Sequence, residues 1–292
     1  EGTTENRFQG PTWEELVSGG AAIEWTEIGS VQALQALGAS TDAQTLAKNY
    51  RLTADLDLQG AEFKGIGSSQ TPFTGVFDGQ NHKISNFTIS GGENVGLFNV
   101  ICGATVKNLK VAGASVSGTK NVGVLVGWAQ AVLDKSDLSG SQANLVGNCS
   151  VSGTVTGEQS AGGLMGRNGG KYDQDTLFSS YSSVDRCTSD VVVTGQGASC
   201  SEIGGLAGVN EGYITRSSAS GAVTAATGSL VGGLTGSNHL GIYDSHASGA
   251  VSGVRAVGGF TGSAGADSTI RGCYSTGDAA ATEGNVGGFA GS

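Results

Sequence analysis

The chain has 292 residues, of which 52 are glycine and only two are proline. Collagen requires a glycine at every third position with much proline, and disordered low-complexity chains are usually rich in both residues, so neither class fits. A net charge of −10, with 15 Lys and Arg spread along the chain, removes the main energetic term of nucleic-acid binding. No apolar run is long enough to span a bilayer, so we expect no membrane insertion.

The first 49 residues do not repeat, and their pattern predicts two or three short helices. Residues 12–15 and 41–44 have the Ser/Thr-x-x-Glu/Gln spacing of a capping box. Ser30 precedes a helical apolar pattern, and Gly38 provides a stop. We therefore assign 1–49 to a short, mainly helical N-terminal region.

The next stretch predicts strands of an irregular kind. Residues 50–58 alternate between apolar and polar, as a half-buried strand does. Residues 73–79 and 84–89 add two further apolar segments, with a turn signal at Asp78-Gly79. These segments resemble first coils that do not yet follow a strict repeat.

A six-residue pattern, apolar-Gly-Gly-Leu/Phe-x-Gly, then recurs to the end of the chain. Counting the degenerate copy at 95–98, its seven copies start at intervals of 27, 39, 42, 28, 26 and 29 residues. The base period is therefore about 28 residues, and two copies carry roughly a dozen extra residues each. The positions that we expect to be structural in this repeat are Gly123, Gly163, Leu164, Gly205, Leu206, Gly233, Leu234, Gly259, Phe260, Gly288 and Phe289.

Each repeat offers three short apolar segments that are too broken by glycine for helices. Short β-segments that turn and stack fit better, so residues 50–292 predict an all-β, parallel β-helix-like solenoid of about 28-residue coils. Equivalent residues of successive coils would then lie about 4.8 Å apart. Glycine is expected where the chain turns sharply or needs a positive φ. Because the first coil of a solenoid exposes unpaired strand edges, residues 1–49 are expected to cap it.

The repeated residues resemble the GLUG motif, named for its Gly-Leu-apolar-Gly core. The matching stretches upstream are Ala54-Asp55-Leu56-Asp57-Leu58, residues 73–79, His82 and Val95-Gly96-Leu97-Phe98. The resemblance implies a bacterial protein, exported and attached to the surface or secreted, of an adhesin-like kind. The same repeat occurs in the non-peptidase part of IgA-specific metallopeptidases. The peptidase chemistry does not carry over, because the chain has three His and no His-Glu-x-x-His, so we expect no zinc site and no cofactor.

Several residue patterns could carry chemistry, and each also has a structural interpretation. Cys149 and Cys187 share a column with Ser and Cys of other coils; a redox or metal role competes with that of a small buried residue, which we favour. We expect no disulfide between them. Asp55, Asp57 and Asp78 could bind calcium or act as paired carboxylates, or could belong to a solvated face and a turn.

A column of hydroxyl residues on the outside of the solenoid could bind ice or sugar, but it also suits a solvated strand, and we favour the second interpretation. Its members are Ser117, Thr156, Thr194, Thr224 and Ser252.

The two insertions, near 128–144 and 168–183, are the strongest candidates for recognition. Insertions in solenoids become loops on one face, often the binding face. Aromatic rings beside charged groups suit a glycan or protein ligand, although both insertions could also be merely tolerated surface loops. The candidate ligand-binding residues are Trp128, Lys171, Tyr172, Asp173, Asp175 and Tyr181.

The favoured function is a non-catalytic, adhesin-like binding module, a stiff rod that presents loops to a glycan or protein of a host or bacterial surface, and that is joined to further domains of a longer protein. A polysaccharide lyase or glycoside hydrolase on a β-helix is the competing class. It would need clustered charged residues, and the nearest cluster is Asp173, Asp175, Asp185 and Arg186. A purely structural stalk is the third hypothesis.

Overall fold

A computed structural model describes residues 23–130, 143–170 and 182–292. Within these ranges the chain is almost entirely β, and its strands form four parallel sheets that run along one stack of coils. The predicted all-β parallel solenoid is therefore confirmed.

Each regular coil passes through the four sheets in the same order, and among the described residues the sheets have nine, twelve, seven and six strands. The nine-stranded sheet contains Trp25–Ile28, Asn49–Leu52, Val76–Asp78, Thr105–Lys107, Leu145–Gly147, Ser183–Asp185, Tyr213–Thr215, Gly241–Tyr243 and Thr269–Arg271. The twelve-stranded sheet contains Leu56–Asp57, Lys83–Ser85, Thr88–Ser90, Lys110–Ser117, Ser150–Gly157, Thr188–Gly195, Ser218–Ala219, Val223–Ala225, His246–Ala247, Val251–Gly253, Tyr274–Ser275 and Ala279–Ala281. The seven-stranded sheet contains Glu93–Val95, Lys120–Val122, Gln159–Gly162, Ser201–Gly204, Ser229–Gly232, Arg255–Gly258 and Val286–Gly287. The six-stranded sheet contains Phe98–Ile101, Val126–Ala129, Met165–Asn168, Ala207–Asn210, Thr235–Asn238 and Thr261–Ala264.

The core consists of columns in which one kind of side chain stacks on its own kind. In the nine-stranded sheet the central positions pair in register from Val106 through Val146 and Val184 to Ile214 and Ile242, and all five are buried. The Leu or Phe of each regular motif forms a second column that is fully buried as far as Phe260: Leu97, Leu125, Leu164, Leu206, Leu234 and Phe260. Burial of these columns supplies the main stabilising term of the stack.

The motif glycines allow backbones to approach one another. A Cβ on Gly163 would overlap the carbonyl oxygen of Gly205 in the next coil. A Cβ on Gly208, in the six-stranded sheet, would overlap the backbone of Ser160 and Ala161 in the seven-stranded sheet. The seven- and six-stranded sheets therefore pack back to back at backbone distance, which any side chain at these positions would prevent.

The expectation that glycine marks the positive-φ positions is wrong for the repeat, because none of the glycines of the six-residue motif has a left-handed backbone. Two columns of mostly polar residues take that conformation instead. One column follows the nine-stranded sheet and the other lies within the seven-stranded sheet: Asn108, Asn148, Arg186, Arg216 and Asp244; and Asn94, Asn121, Ser160, Glu202, Leu230 and Ala256. Asn tolerates this conformation because its short side chain can hydrogen-bond locally.

The N-terminal end carries the two helices that the sequence predicts within the described range. Helix α1, Val31–Gly38, has Ser30 as its N-cap, and α2, Ala43–Leu46, has Asp42, whose carboxylate accepts from the Thr45 amide at 2.9 Å. Thr41, the residue expected to cap the second helix, is therefore displaced by its neighbour, whose carboxylate reaches the first turn. The capping box at 12–15 lies outside the described residues.

A strand that the sequence did not indicate precedes the helices. Trp25–Ile28 pairs in parallel with Asn49–Leu52, so the helices connect two strands of the nine-stranded sheet. Leu34, Leu37 and Leu46 are buried against the first coils, which covers the core at this end. The division of the chain at residue 49 stays a prediction.

Candidate functional site

The two insertions begin and end at one corner of the solenoid, the turn from the six-stranded to the nine-stranded sheet. The first lies between Val126–Ala129 and Leu145–Gly147, and the second between Met165–Asn168 and Ser183–Asp185. These flanking strands are direct neighbours in both sheets. In the following coil, the same turn consists only of Glu211 and Gly212. We call this region the insertion corner, residues 128–130, 143–145, 167–170, 182–183 and 210–213.

Trp128 links the bases of the two insertions. It is half-buried, and its indole Nε1 donates to the carbonyl oxygen of Gly169 at 2.9 Å. Gly169 begins the second insertion, one coil further along the stack. The tryptophan therefore fastens one insertion to the other while part of its ring stays accessible to a ligand.

An ion pair lies beside Trp128. Arg167, in register with Trp128, binds Glu211 through Nε–Oε2 and Nη2–Oε1 hydrogen bonds of 3.0 and 2.6 Å. The two side chains are 21% and 10% exposed, so the pair is largely shielded from water. Burial raises the pKa of Glu211 above its ordinary value, and the charge and hydrogen bonds of Arg167 oppose this rise without cancelling it.

Buried asparagines hold the backbone of the corner. Asn168 donates to Asn210, and Asn210 to Asn238, through Nδ2–Oδ1 hydrogen bonds of 2.8 and 2.7 Å. Asn144 accepts from the Ala104 amide at 3.2 Å and donates to the Gln130 carbonyl at 2.9 Å. Since buried polar groups that are hydrogen-bonded specify one arrangement, the corner is a rigid base for both insertions.

The structure places only one of the predicted ligand-binding residues. Trp128 lies at the corner as described, whereas Lys171, Tyr172, Asp173, Asp175 and Tyr181 lie outside the described residues. The assignment of these five residues to a binding site stays a prediction.

Sequence reasoning missed two tyrosines on the outer face of the nine-stranded sheet. Tyr213 follows Glu211-Gly212 at the insertion corner, and Tyr243 lies one coil further on. Their ring centroids are 6.4 Å apart, with planes inclined by 32°. The available signal was their position next to the buried Ile214 and Ile242, which places them on the opposite, outer face of the strand.

The acidic cluster that a lyase or hydrolase would use is occupied where it can be seen. Asp185 accepts from Thr215 Oγ1 at 2.7 Å and from two nitrogens of Arg216, each at 2.8 Å. Partial burial acts to raise the pKa of Asp185, but these hydrogen bonds and the charges of Arg216 and Arg186 outweigh it and lower the pKa. Such a carboxylate stays ionised and is a poor general acid.

The three aspartates considered for calcium or catalysis serve the backbone and the next coil. Asp55 Oδ1 accepts from the Lys83 amide at 3.0 Å and contacts His82 Nδ1 at 3.1 Å. Asp57 accepts from the Gln59 amide and from Asn86 Nδ2, at 2.9 and 3.0 Å.

Asp78 is buried and lies 3.4 Å from Lys107 Nζ. It also accepts from the Gln80 amide at 2.9 Å and from Asn108 Nδ2 at 3.1 Å. Turn and inter-coil contacts thus account for all three carboxylates.

The Cys and Ser column turns out to be a hydrogen-bonding element. Ser217 Oγ donates to the Thr215 carbonyl at 2.7 Å and accepts from the Cys187 amide at 3.0 Å. Cys187 Sγ makes the matching contact to the Asp185 carbonyl at 3.4 Å, and Cys149 Sγ to the Gly147 carbonyl at 3.2 Å. All five cysteines are free thiols in the structure.

The hydroxyl column on the twelve-stranded sheet pairs in register, as the repeat predicts. Ser117 lies beside Thr156, and Thr194 beside Thr224, with side chains that are half-buried or exposed. Ser252 Oγ lies 3.4 Å from Thr224 Oγ1.

Two searches of the described residues gave negative results. No group of three or more His, Cys, Asp or Glu side chains within them could hold a metal ion. None of the helices there has the length and hydropathy that a membrane-crossing segment requires.

Comparison with known proteins identifies the repeat. Residues 253–280 match the sequence profile of the family described as the GLUG motif, so the chain carries this motif and the resemblance noted from the sequence is confirmed. Halomucin of Haloquadratum walsbyi is 33% identical over 155 residues. The aligned part makes up 48% of this chain but only 2% of halomucin.

Solved structures match over most of the chain. A Bacteroides ovatus protein, described as a candidate immunoglobulin A1 protease, superposes with a TM-score of 0.70 at 27% identity, covering 89% of this chain and 83% of that one. A structure named IgA1 Protease matches with a TM-score of 0.46 at 18% identity, covering 88% of this chain and 21% of that one.

Proposed function

We propose that this chain is a non-catalytic, extracellular binding module, an adhesin-like rod that presents the insertion corner to a glycan or protein ligand. The observation that carries the proposal is the position of the two insertions at one corner of consecutive coils. Trp128 and Arg167 lie in register at their bases, on a framework of buried asparagines. A rigid base lowers the entropy lost when a ligand binds, which favours recognition.

The extracellular assignment draws on two relatives. Halomucin shares the repeat, and the Bacteroides ovatus protein shares the fold over most of both chains. Immunoglobulin A1 is an extracellular protein, so a protease named for it acts outside the cell. The whole of halomucin is far longer than the aligned part, and this chain would act as one module among others.

The non-catalytic assignment draws on the chemistry of the described carboxylates. Asp185, the described acidic member of the candidate cluster, is neutralised by Arg216 and Arg186. Paired catalytic carboxylates need environments that separate their pKa values and leave one of them able to give a proton.

The test is a binding screen of the full chain on a glycan array and on immobilised host-matrix proteins. A matched variant replaces residues 169–182 by Glu-Gly, the turn that the next coil uses between Asn210 and Tyr213. Thr194→Ala, on the twelve-stranded sheet, is the control. We expect a ligand that is lost with the insertion and kept by the control.

Two results would overturn the proposal. If no ligand binds, the chain is a structural stalk. If the chain turns over polyuronates or other polysaccharides, it is an enzyme. A variant with Lys171→Ala, Tyr172→Ala and Asp173→Ala tests the same insertion by surface substitution, should the shortened variant fail to fold.

A further inference from the structure

We propose that Tyr213 and Tyr243 form a stacking platform for an uncharged saccharide on the outer face of the nine-stranded sheet. The inference rests on the proposed binding function, and it names both the class of ligand and a contact surface beside the insertion corner. Both tyrosines are half-buried and flank the core column from outside.

Gly241 explains how the rings are placed. It occupies the strand position that carries Tyr213 in the preceding coil and Thr269 in the next. A Cβ on Gly241 would lie 2.6 Å from Tyr213 Cδ1 and 2.7 Å from Tyr243 Cε2. Both rings therefore lean over the glycine from either side and cover it, so that Gly241 is buried although it has no side chain.

This arrangement produces a shallow aromatic surface. With centroids 6.4 Å apart and planes inclined by 32°, the two rings lie side by side across neighbouring coils. Their inner sides rest on the sheet, and the rest of each ring is available from solvent. An exposed, rigid pair of rings with polar tips suits a ligand that has an apolar face and hydroxyl edges, as a pyranose does.

Hydrogen-bonding groups border the surface along the strands. Thr215, in register with Tyr243, adjoins the Asp185–Arg216 ion pair, with an Arg216 Nη2–Asp185 Oδ1 distance of 2.7 Å. On the other side, exposed Arg271 is in register with Tyr243, and exposed Asp244 follows it. Charges of both signs border the rings, and the whole chain has a net charge of −10. An uncharged ligand is therefore favoured over a polyanion.

The experiment is affinity electrophoresis of the full chain in gels that contain soluble β-glucan, α-mannan or galactan, followed by calorimetry with the matching oligosaccharide. We expect retardation by at least one of these polysaccharides. The double variant Tyr213→Ala, Tyr243→Ala should lose at least tenfold in affinity. Tyr213→Phe with Tyr243→Phe should stay within about threefold, because the stacking surface remains.

Tyr274→Ala is the matched control, since Tyr274 is 54% exposed and stacks on His246 in the twelve-stranded sheet, with centroids 4.9 Å apart. Melting temperatures separate lost binding from lost fold, and the single alanine variants serve if the double variant unfolds. The inference is overturned if none of the polysaccharides binds, if the alanine variants bind as well as the native chain, or if proline-rich peptides bind the tyrosines in place of saccharides. A protein ligand at the insertion corner without any saccharide binding would leave the proposed function standing and this inference refuted.

Discussion

Arg167 reaches from one coil to the next to bind both carboxylate oxygens of Glu211, at 3.0 and 2.6 Å. Arg167→Met should leave the largely buried Glu211 carboxylate without its partner. We expect a loss of about 2 kcal/mol in the free energy of unfolding near neutral pH, below the value for fully buried pairs because water still reaches the site. Urea unfolding measures the change.

The pH dependence of that loss provides an internal check. Burial raises the folded-state pKa of Glu211, so its ionisation opposes folding: its contribution is most favourable at low pH and declines as the pH rises through the folded-state pKa. Without Arg167 the pKa rises further and the decline steepens. The loss should therefore be smaller at pH 4.5 than at pH 7.5. Arg255→Met, which breaks a pair whose side chains are 68% and 60% exposed, should cost less than about 0.5 kcal/mol. A loss independent of pH would refute this account of Glu211.

The second glycine of the motif offers a prediction with a control at the same repeat position. A methyl group on Gly205 would overlap the carbonyl oxygen of Gly233, which belongs to the backbone and cannot move aside easily. Gly205→Ala should cost about 3 kcal/mol or prevent folding, as overpacking does. At Gly288 a Cβ meets no atom within 4 Å, so Gly288→Ala should change stability by less than about 0.5 kcal/mol. Thermal unfolding followed by circular dichroism compares them, and equal effects would argue against close approach as the reason for glycine.

The left-handed column in the seven-stranded sheet predicts a stabilising substitution. Ala256 has a φ of 49°, a conformation that costs a residue with a Cβ roughly 1–2 kcal/mol. Asn accepts this conformation more readily, as Asn94 and Asn121 do in the same column. Ala256→Asn should therefore raise stability by about 0.5–1 kcal/mol. Ala280→Asn, on an exposed strand position, should be neutral or destabilising. A Tm that falls for Ala256→Asn would contradict the argument.

Ser217 should be sensitive to loss of its hydroxyl and tolerant of a thiol. Ser217→Ala removes the bond to the Thr215 carbonyl and leaves the buried Cys187 amide without its acceptor, at a cost of about 1–3 kcal/mol. Ser217→Cys places there the group that Cys149, Cys187 and Cys273 already carry in this column, and it should cost less. Chemical denaturation of the two variants ranks them, and the reverse ranking would mean that the column acts only by filling space.

The cysteines should be free but slow to react in the folded chain. A hydrogen bond with Cys187 and burial raise the pKa of Cys149, and burial raises the pKa of Cys102, Cys200 and Cys273. Because the thiolate is the reactive form, a thiol reagent should act slowly at neutral pH. Under denaturing, non-reducing conditions it should titrate all five thiols, and a lower number would indicate a disulfide.

Residue periodicity was sufficient to predict the coil, the core columns and the register. Val106, Val146 and Val184 could be aligned by eye, because a parallel stack places like residues in contact. The strand Trp25–Ile28 was missed because it precedes the first recognisable repeat. The role of the glycines was misjudged, since the packing of two sheets at backbone distance involves residues of different coils, such as Gly208 and Ser160.

The candidate site was less predictable than the fold. The insertion boundaries pointed to the corner, but the Trp128–Gly169 bond joins residues 41 positions apart, in adjoining coils. Tyr213 and Tyr243 drew no attention because an isolated tyrosine beside a strand residue is common. Their meaning depends on the bare Gly241 between them, which only the lateral register reveals.

The in-register stacking also makes the length of the rod adjustable in whole steps. A coil such as residues 211–238 meets its neighbours through the same columns on both sides, Ile203 and Val231 on Val257, and Asn210 on Asn238. Duplication of that segment would add one strand spacing, about 4.8 Å, without creating a new kind of contact. An insertion of half a coil would instead misalign every column beyond it. Gene duplication in units of 28 residues could thus move the insertion corner along the axis like a mark on a ruler, while the ligand-contacting side chains stay as they are.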